Sequence, residues 1–215
     1  MDNFEKILKI MKHNGGYITT KELKNNNINR YFLTKMVERK QIIRISRGYY
    51  GLVNYNVDEY YKIISMSEKA IFSMNTALYL HNLSDRTPLV FDVTVPHYYG
   101  GSLRKNKKVN LYFVNNSVLE LGKIEMISPF GMKIQVYDKE RTICDIVKNR
   151  NNMDMEIFSK AIKNYTKSSD KNLNKLMKYA KKLKIEKKLL INLFSFYNFC
   201  TCVFNTYFFC IDIQT

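Results

Sequence analysis

Three kinds of residue that carry chemistry are scarce in this chain of 215 residues. Histidine occurs only as His13, His81 and His97, and none stands in a G-x-S-x-G context, so a nucleophilic triad has no anchor. Cysteine occurs only as Cys144, Cys200, Cys202 and Cys210. No two of these form a C-x-x-C pair and none stands at zinc-finger spacing, which leaves no metal ligand set and makes a reduced, cytoplasmic setting the simplest one. Carboxylates are outnumbered: 19 Asp plus Glu face 35 Lys plus Arg, a net charge of +16. That excess favours an anionic partner, nucleic acid ahead of a membrane surface. The opening Met1-Asp2-Asn3-Phe4-Glu5 is acidic and amphipathic and does not read as a signal peptide. Hydrophobic content is 46%, ordinary for a globular protein, and the length suffices for one large or two small domains with a proper core.

What is present is organised around residues 18 to 53. Thr19 and Glu22 are spaced as a capping box and start a helix through about Lys24. Asn25-Asn26-Asn27 ends it, because short amides compete for backbone hydrogen bonds. Asn29 is positioned to cap a second helix. In that helix Leu33, Met36 and Val37 share one face, with Phe32 beside them. Tyr31, Thr34, Lys35 and Glu38 share the other, with Arg30 adjacent. A recognition helix needs this division, with one face on a core and the other free to reach base edges. Two β-branched runs follow, Gln41 to Ile45 and Tyr49 to Val53, joined through Ser46-Arg47-Gly48, with Gly48 suited to the positive φ of a hairpin. Arg44 and Arg47 fall at or near the tip of this wing. A preceding helix over 2–12 has Phe4, Ile7, Leu8 and Met11 on one stripe, Asp2 and Glu5 to cap it and Gly15-Gly16 to stop it. Tyr17 and Ile18 add a short strand against the wing. Residues 1–55 hold eleven Lys plus Arg against four Asp plus Glu, so the basic excess is concentrated on this motif. The pattern is a winged helix-turn-helix. The same shape also serves as a protein-binding adaptor.

The remainder reads as a mixed α/β domain with a small sheet and several helices, giving an α+β chain overall. Residues 54–68 form a linking helix with Tyr60, Tyr61, Ile63 and Ile64 to pack. Ser73 to Leu80 is a short apolar helix. Strands are expected at Leu89 to Val95, Val109 to Val114 and Met132 to Tyr137. Helices follow from Asp138 to about Lys148, from Asp154 to Tyr165 and from Lys171 to Lys184. The last is buried through Leu173, Leu176, Met177, Ala180 and Leu183. Its outer face is lysine: nine occur in 167–188 against Asp170 and Glu186, as a solvated face or a second nucleic-acid surface. Composition breaks after Leu189. Through Thr215 there is no Lys or Arg, and there are eight aromatics. The stretch is long enough for a membrane helix, but Asn192, Asn198 and Asn205 interrupt it. The expected divisions are therefore 1–55, 56–190 and an atypical hydrophobic tail, 191–215.

No catalytic or metal-binding constellation is found. Gly100-Gly101-Ser102 followed by Val109-Asn110-Leu111-Tyr112 has the outline of a polymerase-β-type nucleotidyltransferase loop and strand. Asn110 and Tyr112 stand where two metal-binding aspartates would be needed. A restriction-type nuclease fails too: Asp92 lies on a strand, but Lys133-Ile134-Gln135-Val136 offers no carboxylate. Asp138, Glu140, Arg141 and Asp145 gather at one helix start, where a capping and ion-pair network is the favoured reading.

Three stretches together carry a family resemblance: Gly16-Tyr17-Ile18-Thr19 through Arg47-Gly48-Tyr49-Tyr50; Ser73 to His81 with Leu83-Ser84-Asp85-Arg86-Thr87-Pro88 and Val93-Thr94-Val95-Pro96; and Val136 to Asp145 with the helices to about Ile185. In these the chain resembles the AbiEi family, antitoxins and repressors of bacterial type IV toxin–antitoxin systems for abortive phage infection. The resemblance implies a winged N-terminal domain that represses its own operon by binding upstream repeats in double-stranded DNA. It implies a C-terminal domain that opposes a nucleotidyltransferase-like toxin without needing to touch it. It implies no enzymatic activity and no cofactor. By that analogy Arg30, Thr34, Lys35, Arg44 and Arg47 touch DNA, with Asn29, Tyr31 and Ser46 beside them. A degenerate nucleotidyltransferase-like protein without activity is the other relative that the loop outline suggests. The tail departs from the family, which ends in a polar helix near Lys188.

Overall fold

The computed structural model describes residues 2–53 and 58–197. Helix α1 (Asn3–His13) buries Ile7 and Met11, with Phe4 and Leu8 half-buried on the same stripe. Asp2 holds the cap position, but its carboxylate makes no capping bond. Its backbone carbonyl accepts the Lys6 N–H at 3.0 Å instead. Gly15 and Gly16 take φ of 67° and 93° and turn the chain into β1 (Tyr17–Thr19). Thr19 then closes the expected capping box. Its hydroxyl accepts the Glu22 N–H at 3.0 Å, and the Glu22 carboxylate accepts the Thr19 N–H at 2.7 Å. This starts α2 (Thr20–Asn25). The asparagine run ends it, with Asn27 in the left-handed region at φ 54°, which asparagine tolerates.

After the turn come α3 (Tyr31–Glu38), β2 (Ile42–Ser46) and β3 (Tyr49–Leu52). The sheet order is β1-β3-β2, all antiparallel, with Ile18 opposite Tyr50 and a bulge between Arg44 and Ser46. Gly48 supplies the hairpin's φ of 84°. Ile7, Met11, Ile18, Leu23, Leu33, Met36 and Ile42 are each no more than 1% exposed and form one core. Burial of such a side chain is worth about 1.5–3 kcal/mol, and that core sets the angle at which α3 is presented.

Helix α4 (Glu59–Met66) begins at its cap Asp58 and buries Tyr60, Tyr61 and Ile63. Positions 54–57 of the expected linking helix lie outside the described residues. A five-stranded mixed sheet follows, built from β4 (Ile71–Phe72), β5 (Phe91–Pro96), β6 (Val109–Val114), β7 (Lys123–Ile127) and β8 (Lys133–Tyr137) in the order β6-β5-β4-β8-β7. The β5–β6 and β4–β8 pairs are parallel and the other two antiparallel. Two of these strands, β4 and β7, were not expected from sequence. One core joins Tyr60 and Ile63 to Phe72, Val93, Val95 and Val136. A second core gathers α5 (Met74–Leu80), α7 (Lys139–Lys148), α8 (Met155–Lys167), α9 (Leu173–Leu183) and α10 (Glu186–Tyr197), the short α6 (Asn116–Leu119) lying before β7. Asp138 caps α7 through its carboxylate, as its position predicts, and Asp154 caps α8 in the same way. On α9, Leu173 and Met177 are only partly buried, and Tyr179 is buried instead. Helix α10 runs to Tyr197 rather than closing near Lys188. Residues 198–215 of the expected tail lie outside the described residues. Among the described residues no helix is long and apolar enough to cross a membrane.

Candidate nucleic-acid interface

The core under α3 decides which of its side chains are free. Leu33 and Met36 are buried and Phe32 and Val37 half-buried, so the opposite face turns outward. Asn29 holds the start of the helix: its side-chain oxygen accepts the Tyr31 N–H at 2.8 Å. Arg30 is already right-handed helical and is exposed. Tyr31 is 57% exposed. Thr34 is exposed one turn on, and Lys35 is half-buried beside it. Lys35 donates to the Glu38 carboxylate at 2.8 Å and sits 5.6 Å from the Tyr31 ring centroid. The bond to Glu38 raises the Lys35 ammonium above its ordinary range, so this cation is fully charged at neutral pH. Arg39 and Lys40, just past the last turn, are exposed as well, and Arg39 stacks 4.8 Å over Phe4. A reading confined to the helical face misses them, since they follow the helix.

On the wing, Arg44 and Arg47 are exposed, and Arg44 reaches back to the Ser46 carbonyl at 3.4 Å. Ser46 itself turns the other way. It is half-buried, and its hydroxyl lies 3.1 Å from that of Ser65 on α4. The structure therefore brings Asn29, Arg30, Tyr31, Thr34 and Lys35 onto one helix start and face, sets Arg44 and Arg47 on the neighbouring hairpin, and engages Ser46 in holding the wing.

That hold is broader than one bond. The Tyr61 ring packs against Tyr17 and Tyr49 with centroids 4.4 Å and 5.9 Å away. Asp58, 1% exposed, accepts the Tyr60 N–H at 2.8 Å and the Ser128 hydroxyl at 2.7 Å, while its own N–H donates to the Tyr17 hydroxyl at 2.6 Å. One buried residue thus ties the wing's sheet, α4 and the loop before β8.

The carboxylates weighed for catalysis are occupied. Asp92, 1% exposed on β5, accepts from the Asn110 amide at 3.1 Å and the Asn75 N–H at 3.0 Å. Burial pushes its carboxyl above the usual range, against the pull of Asn110 and Asn75. Tyr112 also bonds it, and burial first, then Asp92, pushes that phenol up to about 12. So Asn110 and Tyr112, at the positions a nucleotidyltransferase would give to aspartates, close off the one carboxylate nearby. Asp138 accepts the Arg141 N–H at 2.8 Å and the Tyr179 hydroxyl at 3.0 Å. Glu140 accepts from Tyr165 at 3.2 Å and from the Asn172 N–H at 3.0 Å. Arg141 is fully buried. It bonds Asp145 at 3.0 Å and the Val118 and Leu121 carbonyls at 2.6 Å and 2.9 Å. This cluster is the capping and ion-pair network that its spacing predicts. Among the described residues no group of three or more His, Cys, Asp and Glu is arranged to hold a metal ion.

Comparison with known proteins adds two findings. The chain is similar over 90% of its length to the crystal structure of the RV2827C protein from Mycobacterium tuberculosis, with a TM-score of 0.60, 10% sequence identity and 76% of that chain covered. At that identity the likeness is one of fold. No curated protein sequence matches the chain. Residues 5–53, the three helices and wing just described, match the model of a family described as "Transcriptional regulator, AbiEi antitoxin". In this segment the chain is similar to the AbiEi antitoxin transcriptional regulators.

Proposed function

We propose that this protein is the antitoxin of a type IV toxin–antitoxin pair acting in abortive phage infection, and that it represses its own operon by binding double-stranded DNA upstream. The observation that carries the reading is the exposed, cation-bearing face of α3 beside a wing whose two arginines are also exposed. The N-terminal half of α3 enters the major groove, where Arg30, Tyr31, Thr34 and Lys35 meet base edges and phosphates. Asn29 fixes the helix start. Arg44 and Arg47 grip the flanking backbone, where each neutralised phosphate releases counterions. Ser46 serves indirectly, by fixing the wing's angle through Ser65. The work is divided between a DNA reader in residues 1–55 and an antitoxin unit in 56–190, which opposes a nucleotidyltransferase-like toxin without having to bind it. The protein is a cytoplasmic regulator and not an enzyme, in keeping with a buried Asp92 that is bonded by Asn110 and Tyr112.

The test is a polarisation titration at two salt concentrations, with DNA from upstream of the chain's own reading frame beside a scrambled duplex of equal length. Tight, salt-sensitive binding that prefers the upstream DNA is expected. Equal or negligible binding to both would overturn the repressor reading and favour a protein-binding adaptor.

A further inference from the structure

The two edges of the five-stranded sheet are guarded unequally. Edge strand β7 carries Lys123 and Glu125, and Pro129 follows just past its end. Charges and proline on an edge keep other strands from joining it. The opposite edge, β6, reads Val-Asn-Leu-Tyr-Phe-Val and carries neither. It also has no bulge, since it keeps register with β5 from Val109 to Val114. Phe113 on it is 46% exposed.

Hydrogen bonds fix which backbone groups this edge presents. The Lys108 and Val114 carbonyls accept the Phe91 and His97 N–H groups at 2.8 Å and 2.9 Å. Neighbouring residues of a strand turn their backbone groups to opposite sides, so Asn110, Tyr112 and Val114 face β5. Val109, Leu111 and Phe113 face away from it. The Val109 N–H donates to the Asn106 carbonyl at 3.1 Å. Among the described residues no strand lies alongside to take the N–H groups of Leu111 and Phe113.

We infer that two copies of this chain pair through β6, antiparallel about a two-fold axis at Leu111, joining two five-stranded sheets into one. With Leu111 opposite Leu111, Phe113 of each copy meets Val109 of the other, and Asn110 meets Tyr112. Outward groups then face outward groups, as a hydrogen-bonded ladder requires. An aromatic ring against a β-branched side chain is a favourable cross-strand pair. Charge is complementary as well. Arg104 stacks 5.1 Å from the Phe113 ring centroid, so the pairing carries it to the start of the other copy's strand. There lies Glu59, 36% exposed and 3.0 Å from the Lys108 ammonium, and each copy brings a cation to the other's carboxylate. A chain of net charge +16 resists self-association over most of its surface, and β6 itself adds no charge to that repulsion. The same patch serves on both sides, so the contact closes at two copies. One strand pair is small beside the roughly 1,600 Å² of a standard interface, so a micromolar equilibrium is expected.

The test uses the full chain with no DNA present, so its result is independent of the repressor reading. Sedimentation equilibrium from about 1 to 100 μM should show monomer giving way to dimer. Over the same range, hydrogen exchange at the Leu111 and Phe113 amides should slow, while Asn110 and Tyr112, bonded to β5, are slow throughout. Phe113→Lys, at an exposed site, should keep the thermal transition and stay monomeric. Should that substitution unsettle the fold, exchange in the wild-type chain decides. A wild-type chain that is monomeric across the range, with both amides exchanging fast, overturns the inference. So does a dimer that survives Phe113→Lys or forms without slowing those two amides, since another surface then joins the copies. Slow exchange at both amides in a monomer at every concentration overturns it too, and would mean that the edge is covered within the chain.

Discussion

At the scale of single residues, Arg141 shows how a charge can be placed in a core. Its guanidinium has Asp145 as counterion, two backbone carbonyls as acceptors and the Tyr137 ring 4.3 Å away. Gly122, at φ 77°, is held so close that a Cβ there would stand 2.6 Å from the Arg141 Cβ. Arg141→Met should therefore strand Asp145 and two carbonyls, costing about 3–5 kcal/mol in a urea titration. A loss under about 1 kcal/mol would mean that solvent already screens the site. His81 offers a pH handle. It is buried, and a ring nitrogen lies 2.7 Å from the Tyr137 carbonyl, so the neutral ring donates there. Burial lowers its pKa below the ordinary 6.5. The unfolded chain then binds a proton that the folded chain refuses, so the contribution is complete above about pH 6.5 and fades as pH falls below it. Urea midpoints measured at neutral and mildly acidic pH should fall on acidification, and less steeply in His81→Gln. Equal pH dependence in the two proteins would rule out His81 as the source.

At the scale of elements, the proposed function divides DNA binding between α3, which is expected to read, and the wing, which is expected to grip. Arg30→Ala and Lys35→Ala should lose discrimination between upstream and scrambled DNA more than overall affinity, and equal losses on both would contradict the assignment. Neutralising Arg44 and Arg47 should weaken binding to both duplexes alike and lower the salt slope by about 0.9 for each phosphate left unneutralised. How much of this was legible depended on the reach of the determining interactions. The Thr19–Glu22 capping box spans three residues and reads directly from sequence, as does the α8 stripe of Phe158, Ala161, Ile162 and Tyr165. Strand β4 is two residues long, and only its pairing with Val93, Thr94 and Val136 makes it a strand, which no local pattern announces. Strand β7 is an edge strand mixing Lys and Glu with Ile and Met, and its alternation is weak. Ser46 sat in the right hairpin, but its partner Ser65 lies nineteen residues on, so its inward turn was invisible. Asp2 had the right residue type and position for a cap, yet only its backbone carbonyl took part.

At the scale of the whole molecule, the winged unit and the five-stranded sheet are joined by Asp58, Tyr61 and the Ser46–Ser65 pair rather than by a bare linker. Removing the Asp58 carboxylate should cost about 1 kcal/mol through the missing α4 cap. It should also leave the buried Ser128 hydroxyl short of an acceptor, at a further cost of about 1–3 kcal/mol. We expect Asp58→Ala to melt the winged unit ahead of the rest, seen as early loss of hydrogen-exchange protection in α1 to β3 during a urea series. Simultaneous loss in both units would show that the remaining aromatic packing suffices. The same joint sets terms for anyone splicing this protein. A chimaera that transplants the winged unit onto a foreign C-terminal half must carry Asp58, Tyr61 and Ser65 with it, and must find a hydroxyl where Ser128 stood. Cut at the wing's last strand, the graft would keep α3 and lose the surface against which its wing is set.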